Sequence, residues 1–322
     1  MFNKKNILIT GGTGSFGSCC ARFILKKYSA NKVVIFSRDE LKQYEMQKEL
    51  SNFKNLRFLI GDIRDQNRLN MAFKEIDYVI HAAALKHVPS SEYNPFECVQ
   101  TNIVGGHNVI NAAILTNVKK VIALSTDKAT NPLNLYGASK LCLEKLFVSA
   151  NVLTGKQKTF FSVVRYGNVI NSRGSVLPFF SDLIKKKEKY LPITDINMTR
   201  FFFKLEHSVK FVLKCLKIMK RGEVFIPKLP SCRIIDLVNA LKSDAKTKII
   251  GIRPGEKIHE MLYSADESRY VREFKTHYVL FSQIFHKNEL SKYKMMKKDE
   301  AYSSLNNKNF FNLKQIKKNF LQ

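Results

Sequence analysis

The sequence contains no Trp, and only eight Pro and six Cys among its 322 residues. No two cysteines have Cys-x-x-Cys spacing, and no paired His-rich tract accompanies them; they are Cys19, Cys20, Cys98, Cys142, Cys215 and Cys232. This pattern argues against a disulfide framework and a zinc site. We therefore expect small buried thiols and no metal centre.

Long hydrophobic runs are also missing from the start of the chain. The apolar part of MFNKKNILIT breaks at Gly11 and Gly12, which is too early for a signal peptide or a membrane span. We expect a cytoplasmic protein with no membrane association.

Acidic residues are scarce, since 27 Asp and Glu face 54 Lys and Arg, which gives a formal net charge of +27. A strongly basic balance can indicate nucleic acid, anionic membrane or anionic small molecules. The lysines are spread along the whole chain, and no RNP-like aromatic motif, zinc finger or helix-turn-helix pattern accompanies them. We expect no nucleic-acid partner, and the charge favours phosphorylated ligands.

Apolar runs and helical stretches alternate through the first half of the chain. The runs at 5–10, 32–37, 56–60, 77–83, 120–125 and 160–165 are nearly continuous in Val, Ile, Leu and Phe, as strands buried on both faces should be. Helical periodicity follows at 20–28, 39–50, 68–73, 98–115 and 136–151. The alternation predicts an α/β fold with a Rossmann-like, doubly wound parallel sheet.

The rhythm changes after about residue 165, where Gly, Pro and polar residues become common. We predict helices at 176–187, 205–217 and 234–241, and short strands at 223–226 and 248–251. The domain prediction is residues 1–165 for the dinucleotide-binding part and 166–286 for a smaller mixed α/β lobe interleaved with it. Residues 287–322 are predicted to form a peripheral C-terminal tail.

A glycine-rich loop joins the first predicted strand to the first helix. Gly11, Gly14 and Gly17 have GxxGxxG spacing, and Thr13, Ser15 and Phe16 lie between them. Glycines allow a tight turn, and the amides at the following helix N-terminus suit a pyrophosphate. The alternative is a glycine-rich turn that binds no ligand.

The end of the second strand bears on the choice of dinucleotide. An acid at this point would accept from the ribose 2′-hydroxyl of NAD, but Ser37 and Arg38 stand here, with Lys42 one turn on. Cations and a hydroxyl suit a 2′-phosphate, so we predict NADP. Asp39 could bind the ribose or cap the next helix. The same segment contributes two further candidate contacts, Glu40 and Gln43.

Other candidate cofactor contacts follow the later strands. Asp62 and Ile63 close the third strand, where an acid can accept from adenine or simply cap a helix. Small residues after the fourth strand could let the cofactor pass or only pack tightly. The candidates at the fourth and fifth strands are Ala82, Ala83, Ala84, Lys86, Leu124 and Ser125.

Tyr136 and Lys140 are four residues apart, so they share one helical face. An ammonium near a phenol favours the phenolate, which could act as a base toward a hydroxyl. A lone YxxxK is usually a solvated helix pair. Here it follows the fifth strand of a fold with a dinucleotide loop at its first turn.

This combination resembles the extended short-chain dehydrogenase/reductase superfamily, in which Thr126 matches the hydroxyl of a Ser/Thr–Tyr–Lys triad. The pair Asp127-Lys128 resembles the inverting UDP-N-acetylglucosamine 4,6-dehydratases, whereas retaining dehydratases carry Asp-Glu and simple epimerases small or hydroxyl residues. The matching blocks run from Thr10 to Glu260: TGGTGSFG, SRDELKQ, AAALKHVP, ALSTDKA, NLYGASK, VRYGNVINSRGSV, PITDINMTRF and IGIRPGEKIHE.

The resemblance implies a reaction in which tightly bound NADP is recycled within each turnover of UDP-N-acetylglucosamine. Tyr136, aided by Lys140 and Thr126, would take the C4 hydroxyl proton. Asp127 would protonate the departing C6 hydroxyl. A neutral Lys128, its pKa lowered by burial beside cations, would remove the C5 proton. Inversion at C5 would give UDP-2-acetamido-2,6-dideoxy-β-L-arabino-hex-4-ulose, a first step towards pseudaminic acid or a related L-sugar.

The resemblance also assigns residues to the nucleotide sugar and implies a homo-oligomer. The substrate candidates are Lys86, Asn168, Val169, Arg173, Gly174, Ser175, Val176, Thr194, Arg253 and Glu256. His87 is expected to be a packed or hydrogen-bonded histidine. Two alternatives stay open, a UDP-sugar 4-epimerase of the same superfamily and a non-catalytic dinucleotide-binding protein.

Overall fold

The computed structural model describes residues 1–155, 159–170, 172, 174–286, 292–293, 296 and 299–321. The strands are β1 Asn6–Thr10, β2 Lys32–Ser37, β3 Leu56–Ile60, β4 Tyr78–His81, β5 Lys120–Thr126, β6 Phe160–Tyr166, β7 Asn168–Ile170, β8 Leu191–Ile193, β9 Thr199–Lys204, β10 Val224–Pro227, β11 Ser231–Arg233, β12 Thr247–Ile249, β13 Met261–Tyr263, β14 Val271–Glu273, β15 His277–Leu280 and β16 Tyr302–Ser303.

The α-helices are α1 Ser15–Lys27, α2 Glu40–Glu49, α3 Gln66–Ala72, α4 Val88–Tyr93, α5 Pro95–Val99, α6 Gly105–Leu115, α7 Leu135–Leu153, α8 Val176–Lys185, α9 Leu205–Ile218, α10 Ile234–Leu241 and α11 Leu313–Ile316. Short 3₁₀ helices cover Asp127–Ala129 and Asp266–Tyr270, and π-helical turns cover Gln100–Val104 and Lys317–Leu321. Within the described ranges, no helix is long and apolar enough to cross a membrane.

The main sheet has the strand order β14-β15-β10-β6-β5-β4-β1-β2-β3. The strands from β3 to β10 in this order pair in parallel, and β15 and β14 add an antiparallel edge. The order of strands reverses at β1, which lies between β2 and β4, and ligands of open α/β sheets bind at such a switch point. The predicted doubly wound parallel sheet is confirmed.

Most of the predicted strands of this sheet are buried on both faces, which explains their unbroken apolar sequences. The edge strand β3 differs, because Arg57 and Ile60 are exposed. In β1, for example, Ile7, Leu8 and Ile9 are fully buried. The helices cross over between the strands, so the polar segments that follow β1, β2, β4 and β5 meet at the carboxyl edge of the sheet.

A smaller lobe contains the sheet β11-β9-β7 and the strand pair β12-β8. Its own apolar core includes Leu177, Phe202 and Leu237. The last described residues join this core, because Ile316 and Phe320 are buried within it and the Phe320 ring lies 5.4 Å from that of Phe202. The chain beyond residue 165 also contributes β10, β14 and β15 to the main sheet. The dinucleotide-binding part and the smaller lobe therefore interleave.

The thiols are mostly small core side chains. Cys20, Cys98, Cys215 and Cys232 are buried, as the sequence predicts. Cys142 is exposed, so the prediction is wrong for that residue. Helical periodicity alone did not show which face of α7 it occupies.

Candidate active site

One cavity of about 740 Å³ lies at the carboxyl edge of the sheet. Its lining combines residues from the glycine loop, from the ends of β2, β3, β4 and β5, from α7, and from the β6–α8 segment of the smaller lobe. The predicted site residues among them are Gly11, Thr13, Gly14, Ser15, Phe16, Gly17, Ser37, Arg38, Asp39, Lys42, Asp62, Ile63, Ala82, Ala83, Ala84, Lys86, Leu124, Ser125, Thr126, Lys128, Tyr136, Lys140, Asn168, Val169, Gly174, Ser175, Val176 and Glu256.

The glycine loop is built for close backbone contact. Gly11 has a φ of +64°, and a Cβ there would lie 2.8 Å from the backbone of Ala83. A Cβ on Gly17 would lie 2.5 Å from the carbonyl oxygen of Gly11. Gly14 caps α1 and offers no side-chain acceptor to its first turn, and the amides at a helix N-terminus suit an anion. These donors fit a dinucleotide pyrophosphate.

The end of β2 carries charges whose partners are visible in the structure. Asp39 is the N-cap of α2, since its side chain accepts from the Lys42 amide at 3.0 Å and also pairs with the Lys42 ammonium. The capping alternative for Asp39 is therefore confirmed. Arg38 is 57% exposed and lies 3.5 Å from Asp62, which leaves its guanidinium accessible to a phosphate.

Two predicted cofactor contacts lie elsewhere. Gln43 is buried and donates to the carbonyl oxygens of Ser37 and Leu59, so its side chain ties β2 to β3. Glu40 is exposed at the start of α2 and is not among the described residues that line the cavity.

Helix α7, which carries Tyr136 and Lys140, begins at an Asn134 N-cap. The Asn134 side chain accepts from the Gly137 amide at 2.7 Å and donates to the Gly255 carbonyl oxygen at 2.7 Å. Tyr136 and Lys140 lie in the first two turns of α7, and both line the cavity. The cap therefore fixes the start of the reactive helix against the Gly255 loop of the smaller lobe.

Burial favours the neutral forms of both Tyr136 and Lys140. Desolvation raises the pKa of Tyr136 to about 12, against the opposing influence of the Lys128 ammonium and a hydrogen bond with Thr126. Desolvation lowers the pKa of Lys140 to about 8, although Glu144 acts in the opposite direction. Lys128 is thus the cation that most favours the Tyr136 phenolate, where the sequence predicted Lys140.

Asp127 and Lys128 form the short 3₁₀ turn after β5, and they are held differently. Asp127 is fully buried and not among the described lining residues, whereas Lys128 lines the cavity with 20% of its side chain exposed. The Lys128 Nζ lies 3.1 Å from Asp127 Oδ1 and 3.2 Å from Glu260 Oε1. The Thr126 hydroxyl donates to the same Asp127 oxygen at 3.0 Å.

The charge state of Lys128 corrects the sequence expectation. Burial opposes its charge, but the carboxylates of Asp127 and Glu260 outweigh burial and raise its pKa above the ordinary value. Burial raises the pKa of Asp127. The expected lowering of the Lys128 pKa by neighbouring cations is wrong because the nearest charged groups are carboxylates.

A buried ion-pair network lies beside the Asp127–Ala129 turn. The Arg165 guanidinium, 1% exposed, pairs with Glu144 of α7 at 2.5 Å and with Glu267 at 2.8 Å. Glu144 also accepts from the Ser125 hydroxyl at 2.5 Å. The network joins β5, β6 and α7, so it fixes the reactive helix against the end of the strand that carries Thr126.

Asn168 and Lys86, two of the predicted substrate contacts, line the cavity. Asn168 accepts from the Lys128 Nζ at 3.4 Å, and burial lowers the pKa of Lys86. The His87 Nδ1 lies 2.9 Å from the Ser90 hydroxyl, as expected for a hydrogen-bonded histidine.

Three predicted substrate residues are not among those brought together. Arg173 lies outside the described residues. Thr194 and Arg253 are absent from the described lining, and Arg253, with 52% of its side chain exposed, lies 3.8 Å from Glu256.

Sequence reasoning missed several residues of the site. Glu260 closes the IGIRPGEKIHE block, but only the fold brings it to Lys128. Thr101, in the π-helical turn before α6, lines the cavity, and its hydroxyl is buried with no described hydrogen-bond partner. Tyr166 at the end of β6 and Gly167 after it also line the cavity. The VRYGNVI block was a signal for these last two, but neither carries a charge at neutral pH that singles it out.

Known proteins are similar to this chain over most of its length. A family model described as "Polysaccharide biosynthesis protein" matches residues 7–282. Two proteins of Campylobacter jejuni subsp. jejuni, both named UDP-N-acetylglucosamine 4,6-dehydratase (inverting), are 56% identical (serotype O:2; 88% of this chain and 85% of the relative) and 52% identical (serotype O:23/36; 98% and 97%). A Rickettsia bellii protein named UDP-glucose 4-epimerase is 44% identical, over 86% of this chain and 83% of the relative.

Solved structures agree with the fold. The X-ray structure of Pen from Bacillus thuringiensis has a TM-score of 0.92 at 39% identity and covers 100% of this chain and 98% of its own. DesIV, a dTDP-glucose 4,6-dehydratase from Streptomyces venezuelae with NAD and TYD bound, has a TM-score of 0.71 at 21% identity over 79% of this chain and 86% of its own. The second likeness is one of fold.

Proposed function

The chain belongs to the polysaccharide biosynthesis protein family and is similar to two inverting UDP-N-acetylglucosamine 4,6-dehydratases of Campylobacter jejuni. We propose that it is an NADP-dependent enzyme of that activity. It removes water across C5 and C6 of UDP-N-acetylglucosamine and inverts C5. The product is UDP-2-acetamido-2,6-dideoxy-β-L-arabino-hex-4-ulose.

The observation that carries this proposal is the Asp127–Lys128 pair beside the Tyr136 hydroxyl. A 4-epimerase needs a base for the C4 hydroxyl and a hydride carrier, but no further acid and base. The similarity to a UDP-glucose 4-epimerase of Rickettsia bellii makes this distinction necessary. A carboxyl and an amine 3.1 Å apart at the cavity supply the additional proton transfers that loss of water requires.

NADP fits the residues that would hold it. The glycine loop and the α1 amides would bind the pyrophosphate, and Arg38 and Ser37 would bind the ribose 2′-phosphate. Asp39 does not compete for the ribose, because its carboxylate caps α2 and pairs with Lys42. A bound nicotinamide would supply the hydride chemistry, which is removal of hydride from C4 and its return at C6.

Tyr136 opens the reaction by taking the C4 hydroxyl proton. Lys128 and the Thr126 hydrogen bond favour its phenolate against burial. The resulting C4 ketone acidifies the C5 proton, which can then be removed by an amine.

The Asp127–Lys128 contact can create the required acid and base in one step. At rest Lys128 is an ammonium. Transfer of one proton across the 3.1 Å contact gives a neutral amine and a carboxylic acid without net proton uptake. Lys128 then removes the C5 proton. The Asp127 proton passes to the departing C6 hydroxyl along its contacts with Lys128 and Thr126, since these two line the cavity and Asp127 lies behind them. A solvent-exchangeable proton is then added to C5 from the opposite face and inverts that centre, and the proton that Tyr136 took from the C4 hydroxyl and releases to solvent balances it.

Incubation with UDP-N-acetylglucosamine in deuterated water tests the proposal. The expected product is the 6-deoxy-4-keto sugar with deuterium at C5 and the inverted configuration, identified by nuclear magnetic resonance. Recovery of unchanged substrate, or of the C4 epimer alone, would refute the activity.

Two variants test the assignment of the proton transfers. Lys128→Ala should abolish C5 deuterium exchange, and exchange at the normal rate would remove Lys128 from the mechanism. Lys248→Ala is a matched control, because Lys248 lies in the exposed strand β12 and should leave exchange unchanged. Homo-oligomerisation, a cytoplasmic location and the use of the product for an L-sugar such as pseudaminic acid remain predictions.

A further inference from the structure

The acid–base pair at the cavity has a third member that the sequence did not suggest. Glu260 lies immediately before β13 with 2% of its side chain exposed, and its Oε1 is 3.2 Å from the Lys128 Nζ. The same Nζ lies 3.1 Å from Asp127 Oδ1 and 3.4 Å from Asn168 Oδ1. An ammonium has three N–H donors, so each donor of Lys128 is matched by one of these acceptors.

The cluster is not a fully satisfied structural ion pair. Asp127 Oδ2 and Glu260 Oε2 are both buried and have no hydrogen-bond partner among the described residues. Native proteins seldom leave buried polar atoms unpaired without a functional reason. In the proposed reaction the proton that Lys128 gives up is held on one of these two carboxyls.

The surrounding charges decide which carboxyl takes that proton. Glu260 faces three cations: Lys128, Arg200 with Nε at 3.9 Å, and Lys257 in the preceding loop. Together they outweigh burial and lower the pKa of Glu260. Asp127 faces Lys128 but also the negative charge of Glu260, which acts with burial to raise the pKa of Asp127.

We propose that Glu260 is a positioning residue for the dehydration step, in which its carboxylate stays negative beside the Lys128 Nζ, so that the proton that Lys128 gives up is taken by Asp127 and not by Glu260. This role rests on the proposed function, because it concerns the same proton transfers. It adds a residue that acts on the substrate only through Lys128 and Asp127.

The backbone of Glu260 is anchored independently of its carboxylate. Its amide donates to the Ser304 hydroxyl at 3.0 Å, and its carbonyl oxygen accepts from the Ser304 amide at 2.8 Å. Glu260→Gln keeps the shape of the side chain and these backbone bonds while it removes the charge. The variant therefore separates electrostatic positioning from local folding.

Glu260→Gln should slow elimination more than hydride transfer. We expect kcat to fall by about 10- to 100-fold with KM changed by less than about threefold, as for an interaction used in the chemical step. Reduced nicotinamide should accumulate when substrate is added, because C4 oxidation proceeds and loss of water lags. Loss of the Glu260 charge lowers the Asp127 pKa, so the alkaline limb of the kcat profile should move to lower pH by about one pH unit.

Glu273→Gln is the matched control, since Glu273 is half-exposed and pairs with Lys228 on the surface. It should change none of these measurements. Glu260→Asp keeps the charge at a shorter reach and should recover part of the rate and of the pH profile. If Glu260→Gln does not fold, Glu260→Asp decides, because a purely structural residue would give equal losses of hydride transfer and elimination.

A titration that needs no turnover separates this inference from the proposed function. Carbon-13 labelling of aspartate should show Asp127 titrating at lower pH in Glu260→Gln than in the parent protein. An unchanged Asp127 titration would overturn the inference even if the enzyme is a dehydratase. Absence of turnover in the parent protein would refute the dehydratase activity and leave this titration as the deciding measurement for Glu260.

Discussion

Replacement of Arg165 by Met should lower the free energy of unfolding by about 3–5 kcal/mol, the usual cost of removing one partner from a buried ion pair. Arg165 is 1% exposed, and its guanidinium lies 2.5 Å from a Glu144 carboxylate that is 2% exposed. It also pairs with Glu267 at 2.8 Å and donates to Thr130 and the Leu262 carbonyl oxygen. Met fills much of the volume but leaves the buried Glu144 carboxylate and the partly exposed Glu267 carboxylate without their common cation.

The matched control is Arg22→Met. Arg22 also reaches a carboxylate at 2.5 Å, that of Glu49, but the two side chains are 35% and 53% exposed. Exposed pairs contribute about 0–1 kcal/mol, so this variant should change stability little. The two substitutions remove the same chemical group from ion pairs of the same length, but Arg165 is buried and has the additional partners Glu267, Thr130 and Leu262.

Urea unfolding followed by circular dichroism measures both variants, because the chain has no Trp to report by fluorescence. The denaturant slope should stay unchanged, which assigns the shift in midpoint to stability. Equal midpoints for Arg165→Met and Arg22→Met would refute the claim that burial makes the Arg165 network decisive.

The same network predicts a pH dependence with a definite sign. Burial would raise the pKa of Glu267, but Arg165 outweighs it and holds that pKa below the ordinary value. Glu267 therefore stabilises the fold above its unfolded-state pKa, and this contribution is lost as pH falls through the folded-state pKa. In Arg165→Met the acid-side loss of stability attributable to Glu267 should shrink.

Two further variants test the cofactor site. Gly11→Ala should abolish dinucleotide binding and destabilise the fold, because a Cβ would lie 2.8 Å from the Ala83 backbone. The control Gly155→Ala has a similar φ of +51° and no atom within 4 Å, so it should lower the free energy of unfolding by only about 1–2 kcal/mol. Binding calorimetry and thermal melts distinguish the two variants. Arg38→Ala should weaken NADP binding by about tenfold or more and leave NAD binding nearly unchanged; equal losses for both dinucleotides would remove Arg38 from 2′-phosphate recognition.

The parallel sheet could be predicted from the sequence because most of its strands are buried on both faces and are therefore mainly apolar. Strands β2 and β3 begin and end at the predicted residues, and β1, β4, β5 and β6 lie within one to two residues of prediction. The smaller lobe was harder to divide, because its second half returns β10, β14 and β15 to the main sheet. Such long-range pairing leaves no periodic signal in the chain.

In the candidate site, too, residues with a local sequence signal were predicted and residues brought together over long range were missed. The glycine loop, Tyr136 and Lys140 were predictable because each is local, a turn or one helical face. Glu260 was not, since 132 residues separate it from Lys128 along the chain and only their ion pair at 3.2 Å reveals the relation. Arg200 and Lys257, which set the charge of Glu260, were missed for the same reason.

Lys128 and Lys140 show why residue type alone does not reveal which side chain acts as a base. Lys128 and Lys140 are twelve positions apart after the same strand, and burial acts against the charge of both. Two carboxylates within 3.2 Å hold Lys128 as an ammonium, whereas Glu144 only partly offsets burial at Lys140, whose pKa falls to about 8. Lys128 can therefore become a base only by passing its proton to Asp127, while Lys140 is poised to change charge near neutral pH without a partner in proton exchange. The assignment of base and supporting cation follows from the position of the carboxylates, and Glu260, one of those two carboxylates, is the residue whose charge can be removed without disturbing the Tyr136 helix.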